Sequence, residues 1–203
     1  MTKKQQLILL ILASTVIVLL MVFSFKNIAV FWYIYTFTLL LGMALALACG
    51  EVMDRLSTTR YFLIGLPLGI IGYIITTFIY NLLPFISQPA FNNVTQLLEI
   101  YSPTTIWQYA LLIVIIVAGE EMLWRAYIQQ ALKNFIATKW AILLSASHFA
   151  FALLLCGFYI GALAAFISSI VFGIIYEWLK SLPLLIVAHL VMVLLLFLLL
   201  PLT

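Results

Sequence analysis

Ala118–Ala131 reads AGEEMLWRAYIQQA, and it sits inside a run that is otherwise uncharged and mostly apolar from Ile106 to Leu132. Two adjacent glutamates and an arginine are expensive in hydrocarbon, so ionisable side chains at that depth mark a functional site. Whether the run is a membrane span decides the fold. The chain has 203 residues, 67% of them hydrophobic and 7% charged, where soluble domains carry about a quarter charged residues. The sequence therefore predicts an all-α, polytopic helix bundle integral to a membrane, with residues 1–203 forming one transmembrane domain. The net charge of +3 tracks loop position rather than a basic face, so no nucleic acid partner is expected.

Outward from this stretch, the intervals between charges delimit the helices, because a span needs about 20 mostly apolar residues. Lys4–Lys26 and Lys26–Glu51 each hold one span. The first resembles a signal peptide, but its apolar run is too long and no clear cleavage site follows, so it reads as retained. Span 3 is placed at about 61–83. Pro84, Pro89 and Asn92-Asn93 predict an interfacial loop over about 84–103. Span 4 follows Pro103 and carries the glutamates. Lys139–Glu177 is long enough for two helices joined near Cys156-Gly157, and a last span contains His189. About seven spans result, with residues 1–83 as N-terminal spans. A cytoplasmic N-terminus puts Lys3, Lys4, Arg55, Arg60, Lys133, Lys139 and Lys180 inside and only Lys26 outside, as the positive-inside bias requires. Cys49 and Cys156 then lie near opposite faces, and no disulfide is expected. Gly161, Ala165, Ser169 and Gly173 recur every four residues, a small-residue stripe for close helix packing.

Five ionisable residues fall inside predicted spans: Glu120, Glu121, Arg125, His148 and His189. His148 follows Lys139 by nine residues and His189 follows Lys180 by nine, which sets each about 13 Å along its helix at ~1.5 Å per residue. Glu120 lies roughly 20 Å before Lys133 by the same rise. The three can meet at one level. Glu121 and Arg125 are spaced i, i+4, the favourable order for an intrahelical ion pair. Glu120 points about 100° away and lacks such a partner, with Trp124 one turn on as a wall. An unpaired carboxylate in apolar surroundings binds protons more readily, which suits a general base acting on water. One histidine could share the water and the other could stabilise an oxyanion. Taken singly, the Glu121–Arg125 pair reads better as a structural clasp, and either histidine could be an interhelical hydrogen-bonder. Glu51, Asp54, Glu177 and Lys180 read as solvated span ends. No serine nucleophile is evident.

Glu120-Glu121-Met122-Leu123-Trp124-Arg125 resembles EExxxR, the first motif of the CAAX protease and bacteriocin-processing family, also called CPBP or Abi. His148, in LLSASHFAF, resembles the second motif, FxxxH. Gly173–His189, GIIYEWLKSLPLLIVAH, is similar to the run into the third, HxxxN. The resemblance covers about 105–195, which would be the catalytic core. By position it implies that Glu120 activates water with His148, that Glu121 and Arg125 accompany them, and that His189 helps form an oxyanion site. Leu144 stands where the second motif has phenylalanine, and Val193 where the third has asparagine. Losing one oxyanion donor costs about 10²–10³ in turnover.

The resemblance implies an intramembrane endopeptidase without a nucleophilic side chain, acting on a peptide or membrane-protein segment. A short chain of this kind is similar to the bacterial members, linked to bacteriocin immunity or peptide processing. The alternative is a weak or inactive relative that binds a membrane-protein partner as scaffold or regulator. A small transporter or proton relay using the same residues is a third reading. No cofactor is expected. Glutamate and two histidines could ligate zinc, but HExxH spacing is absent and zinc is the minor reading.

Overall fold

The computed structural model describes residues 2–202, and among these the chain is helical throughout its spans, with one isolated bridge between Asp54 and Ser181. Seven helices are long and apolar enough to cross a membrane. They are α1 (Lys3–Lys26), α2 (Phe31–Cys49), α3 (Thr58–Ile86), α5 (Ile106–Lys133), α6 (Thr138–Leu155), α7 (Tyr159–Leu179) and α8 (Leu182–Leu199). Large apolar side chains face outward along them, with Phe85 86% and Ile106 90% exposed. Lipid can solvate such a surface, whereas water-soluble monomers rarely show it.

The expected loop over 84–103 is not a loop. Helix α3 runs on through Pro84 to Ile86, and a separate helix α4 (Gln88–Tyr101) follows. The reason is local. Ser87 accepts a hydrogen bond from Ala90 N at 3.4 Å, and Pro89 sits in the first turn, where its missing N–H costs nothing. Proline read as a breaker was a helix starter. Phe91, Thr95 and Leu98 are partly covered on one side of α4, while Asn92, Gln96 and Glu99 are exposed on the other.

Helix α5 departs from regular α geometry twice, at Leu112–Ile116 and Met122–Gln129, where it widens into π turns. The wider turn loosens the backbone ladder, and three successive carbonyls are met from outside it. Trp124 O accepts from Ser145 Oγ at 3.0 Å, Arg125 O from Gln130 Nε2 at 3.3 Å, and Ala126 O from Glu51 N at 2.8 Å. Such π turns are frequent at functional sites, and this one begins directly after Glu121.

Small residues set the helix spacing around α5 and α8. A Cβ on Gly119 would lie 2.8 Å from Leu39 Cβ, and one on Gly42 would lie 3.0 Å from Leu123 Cβ. Helices α2 and α5 therefore touch nearly backbone to backbone. Gly65 and Gly69 do the same for α3 against Val187 and Ala188 of α8. On α7, Ala165, Ser169 and Gly173 are buried, while Gly161 is only partly covered.

At one end of the bundle the α2–α3 loop clamps the α7–α8 turn. Arg55 N donates to Lys180 O at 2.8 Å, Leu182 N to Met53 O at 2.8 Å, and Tyr176 Oη to Glu51 O at 2.7 Å. Lys180 turns the chain in a left-handed conformation, φ 51°. Glu177 differs from the expected solvated boundary: its side chain is 12% exposed and takes donors from Gln129, Gln130, Lys133 and Lys180. Cys49 ends α2 and Cys156 follows α6, and both are free thiols.

Candidate active site

Glu120 and Glu121 are consecutive on α5 and face different neighbours. Glu121 is 1% exposed and is held from two helices. Arg125 Nε lies 3.2 Å from its Oε2, and His189 Nδ1 of α8 lies 2.8 Å from its Oε1. The Arg125 contact is an ion pair without hydrogen-bond linearity, so Arg125 Nε and Glu121 Oε2 each lack a hydrogen-bond partner. The Arg125 guanidinium also stacks over Phe172 of α7 at 5.4 Å, and the same ring meets His189 edge-on at 6.3 Å. The Phe172 ring thus meets both side chains, and its contact with the Arg125 cation is worth about 0.5–2 kcal/mol when desolvated.

Glu120 is half-buried. Its Oε1 accepts a 2.6 Å hydrogen bond from Tyr35 Oη of α2. Its charge also acts on His189, so both carboxylates, Arg125 and His189 form one electrostatic cluster. The ion pair expected at Glu121–Arg125 is present, and Glu120 is free of it. The close approach at Gly119, the residue before Glu120, is what brings the α2 tyrosine within reach.

His148 stands apart from this cluster. It lies on α6, with its ring 5.7 Å from that of Trp124, and it faces the backbone of Ser14 on α1. Its Nε2 is buried without a partner, as is the Trp124 Nε1. Among the described residues no hydrogen bond or ion pair joins His148 to Glu120 or His189. The expected meeting of Glu120 with two imidazoles does not appear as direct contacts: His189 bonds the neighbouring Glu121, and His148 lies against Trp124. The spacing argument set depth along each helix correctly enough to bring α8 in, but depth leaves the rotation of α6 free. Val193 is buried at 6% exposure one turn after His189 and offers no polar atom there.

Tyr35 was not legible beforehand. It is one of ten tyrosines, and nothing near it in sequence is charged. Gln129 and Gln130 were likewise missed, although two glutamines in a span need buried partners and find one in Glu177. Among the described residues no group of three His, Cys, Asp or Glu side chains is arranged to hold a metal ion.

A buried acid–base cluster between apolar helices narrows the kind of protein, and comparison with family models finds a likeness for the segment that holds it. Residues 102–195 match the model described as type II CAAX prenyl endopeptidase Rce1-like. This segment is Rce1-like. It holds Glu120, Glu121, Arg125, His148, His189 and Val193, and its family is the one that the EExxxR and FxxxH motifs resemble. Searches of curated proteins and of solved structures gave no match. The Rce1-like segment begins at Ser102, just after α4, so α1 to α4 lie outside it, Tyr35 included. An integral multi-pass membrane protein with an Rce1-like segment follows.

Proposed function

We propose that the chain is an intramembrane endopeptidase in which Glu120 activates water for attack on a peptide carbonyl. The observation that carries this reading is the pair of glutamates with opposite surroundings: Glu121 tied to Arg125 and His189, Glu120 left with one neutral donor. A carboxylate consumed by an ion pair makes a poor base, and one without a cation in contact keeps its proton affinity. Glu120 Oε1 receives Tyr35, and Oε2 is the atom assigned to the water.

The steps balance without a covalent intermediate. Water attacks the carbonyl carbon while its proton passes to Glu120. The resulting oxyanion is met by His189. With Nδ1–H donating to Glu121, a protonated His189 presents Nε2–H to that oxyanion. The cluster of two carboxylates, one guanidinium and one imidazolium is then neutral, which is the state a low-dielectric site favours. The tetrahedral intermediate collapses as Glu120 returns the proton to the leaving amine. The resemblance gives His148 a part in activating the water; it stands apart from the Glu120 cluster with its Nε2 unpartnered, and the steps run on Glu120 and His189.

The substrate is read as a peptide or membrane-protein segment reaching the site from the cytoplasm. The N-terminus is placed inside because seven of eight Lys or Arg positions outside the glutamate helix core gather at that end. A bacterial role in bacteriocin immunity or peptide processing fits this reading, and residues 105–195 serve as its catalytic core. The test uses the full chain in bilayer nanodiscs with a prenylated Cys-a-a-X peptide, following tripeptide release by mass spectrometry. Glu120→Gln and His148→Ala should both lose cleavage while remaining folded. A Glu120→Gln protein that cuts at the wild-type rate would overturn the assignment.

One observation favours a second reading. Val193 is buried and apolar where the third motif carries asparagine, which fits a relative that regulates a membrane-protein partner instead of cutting. Val193→Asn separates the two. A rise in turnover of about tenfold or more marks a working site short of one donor; no cleavage in either form supports the scaffold.

A further inference from the structure

Tyr35 reaches the site from α2, outside the Rce1-like segment, and its setting is more specific than a chance contact. The residue is 5% exposed. Its ring stacks on Phe31 at 5.5 Å and 13°, and meets Phe25 of α1 edge-on at 5.4 Å. Phe25 and Phe31 are in turn packed on Tyr101 of α4, and Phe25 also on Phe158 before α7. Tyr101 Oη donates to Phe25 O at 2.5 Å, tying α4 to the end of α1. Two rings, Phe25 and Phe31, therefore hold Tyr35 directly, with Tyr101 and Phe158 packed behind them, and the held hydroxyl has one hydrogen-bond partner, Glu120 Oε1 at 2.6 Å.

We infer that Tyr35 is the positioning residue for Glu120, so that the N-terminal spans complete a site whose other members lie in 102–195. This rests on the reading of Glu120 as the base. The chemistry of the contact is directional. An ionised carboxylate accepts from a phenol and is stabilised by it, while a protonated one gains less. The bond occupies Oε1 and so fixes which oxygen, Oε2, faces the water. It also fixes the carboxylate plane, and a misplacement of about 1 Å at a reacting group can cost on the order of 10² in rate. The groups that face Glu120 are Tyr35 from α2, Glu121 and Arg125 from α5, and His189 from α8. Only Tyr35 touches it by hydrogen bond among the described residues.

The experiment compares wild type, Tyr35→Phe, Tyr35→Leu and Glu120→Gln, each as the full chain in nanodiscs. Two readouts are taken: kcat and KM across pH on the prenylated peptide, and modification of Glu120 by a hydrophobic carbodiimide, which reacts with protonated membrane carboxyls and is followed by peptide mass. Tyr35→Phe keeps the ring and removes the donor. The expected result is a fall in kcat of about 10–100-fold with KM unchanged, and carbodiimide labelling of Glu120 that persists to higher pH than in wild type. Tyr35→Leu should lose stability as well, which the phenylalanine variant should not. If Tyr35→Phe matches wild type in labelling against pH, the inference is overturned, whether or not the peptide is cut. If Glu120→Gln retains turnover, the base assignment falls and the positioning role falls with it; that outcome is separate from a Tyr35→Phe failure, because only the latter leaves Glu120→Gln inactive.

Discussion

Two carboxylates in this bundle are held in opposite ways. Glu177, near one end of α7, has both oxygens filled: Oε1 by Gln129 at 3.0 Å and Gln130 at 2.8 Å, Oε2 by Lys133 at 2.8 Å and Lys180 at 2.5 Å. Two helices and the α7–α8 turn converge on that one side chain, and no capacity is left for a substrate. The Glu120–Glu121 site deeper in α5 is the reverse. Glu121 Oε2 and Arg125 Nε lack linear partners, and Glu120 has one neutral donor; beside the cluster, His148 Nε2 and Trp124 Nε1 are buried without any. A saturated network holds helices together, and an unsaturated one stores bonding capacity for something else. Similar residue types thus make a lock in one place and an unsaturated cluster, the proposed reaction site, in the other, and the number of filled hydrogen-bond positions tells them apart.

The largest effect that would break this comparison is on catalysis. Glu120→Gln should lower turnover by about 10²–10⁴ and leave the thermal midpoint close to wild type, since the glutamine carbonyl oxygen still accepts from Tyr35 Oη. Gly119→Ala comes next. The new Cβ would meet Leu39 Cβ at 2.8 Å, and parting α2 from α5 should cost about 3 kcal/mol, the upper range for overpacking. Turnover should fall with it, because Tyr35 is carried away from Glu120; chemical unfolding and cleavage rates measured together check both. Glu177→Ala is the smallest. The two lysines it pairs with are 23% and 26% exposed and can turn to water, so a loss of about 2 kcal/mol is expected, with kcat per folded molecule unchanged. Should Glu177→Ala abolish cleavage in a folded protein, the division between lock and site would be wrong.

The α4 region shows where local rules gave the wrong answer. Pro84, Pro89 and two asparagines look like a loop when counted as breakers. Yet Pro89 stands in the first turn of a helix, and Ser87 caps it. The same residues carry both signals, and only their position relative to a helix start selects one. The small-residue stripe on α7 was legible, but the tighter seam of Gly65 and Gly69 against α8 was not singled out, although it bears directly on where His189 is held.

The sequence by itself determined the apolar surroundings, the number of candidate spans and which ionisable residues they carry. Charge is so scarce that each ionisable residue within a span must be explained, and the i, i+4 spacing of Glu121 and Arg125 forms its ion pair within one helix. These are local or compositional properties, and one chain suffices to state them. Tertiary structure decided which side chain on another helix meets each carboxylate. His189 joins Glu121, Tyr35 joins Glu120, and His148 turns toward Trp124 and Ser14. Depth along a helix can be counted from the nearest charge, but rotation about its axis is set by packing. Here that packing depends on glycines 119, 42, 65 and 69 and on a π turn that shifts the faces of α5, neither of which follows from a 3.6-residue period.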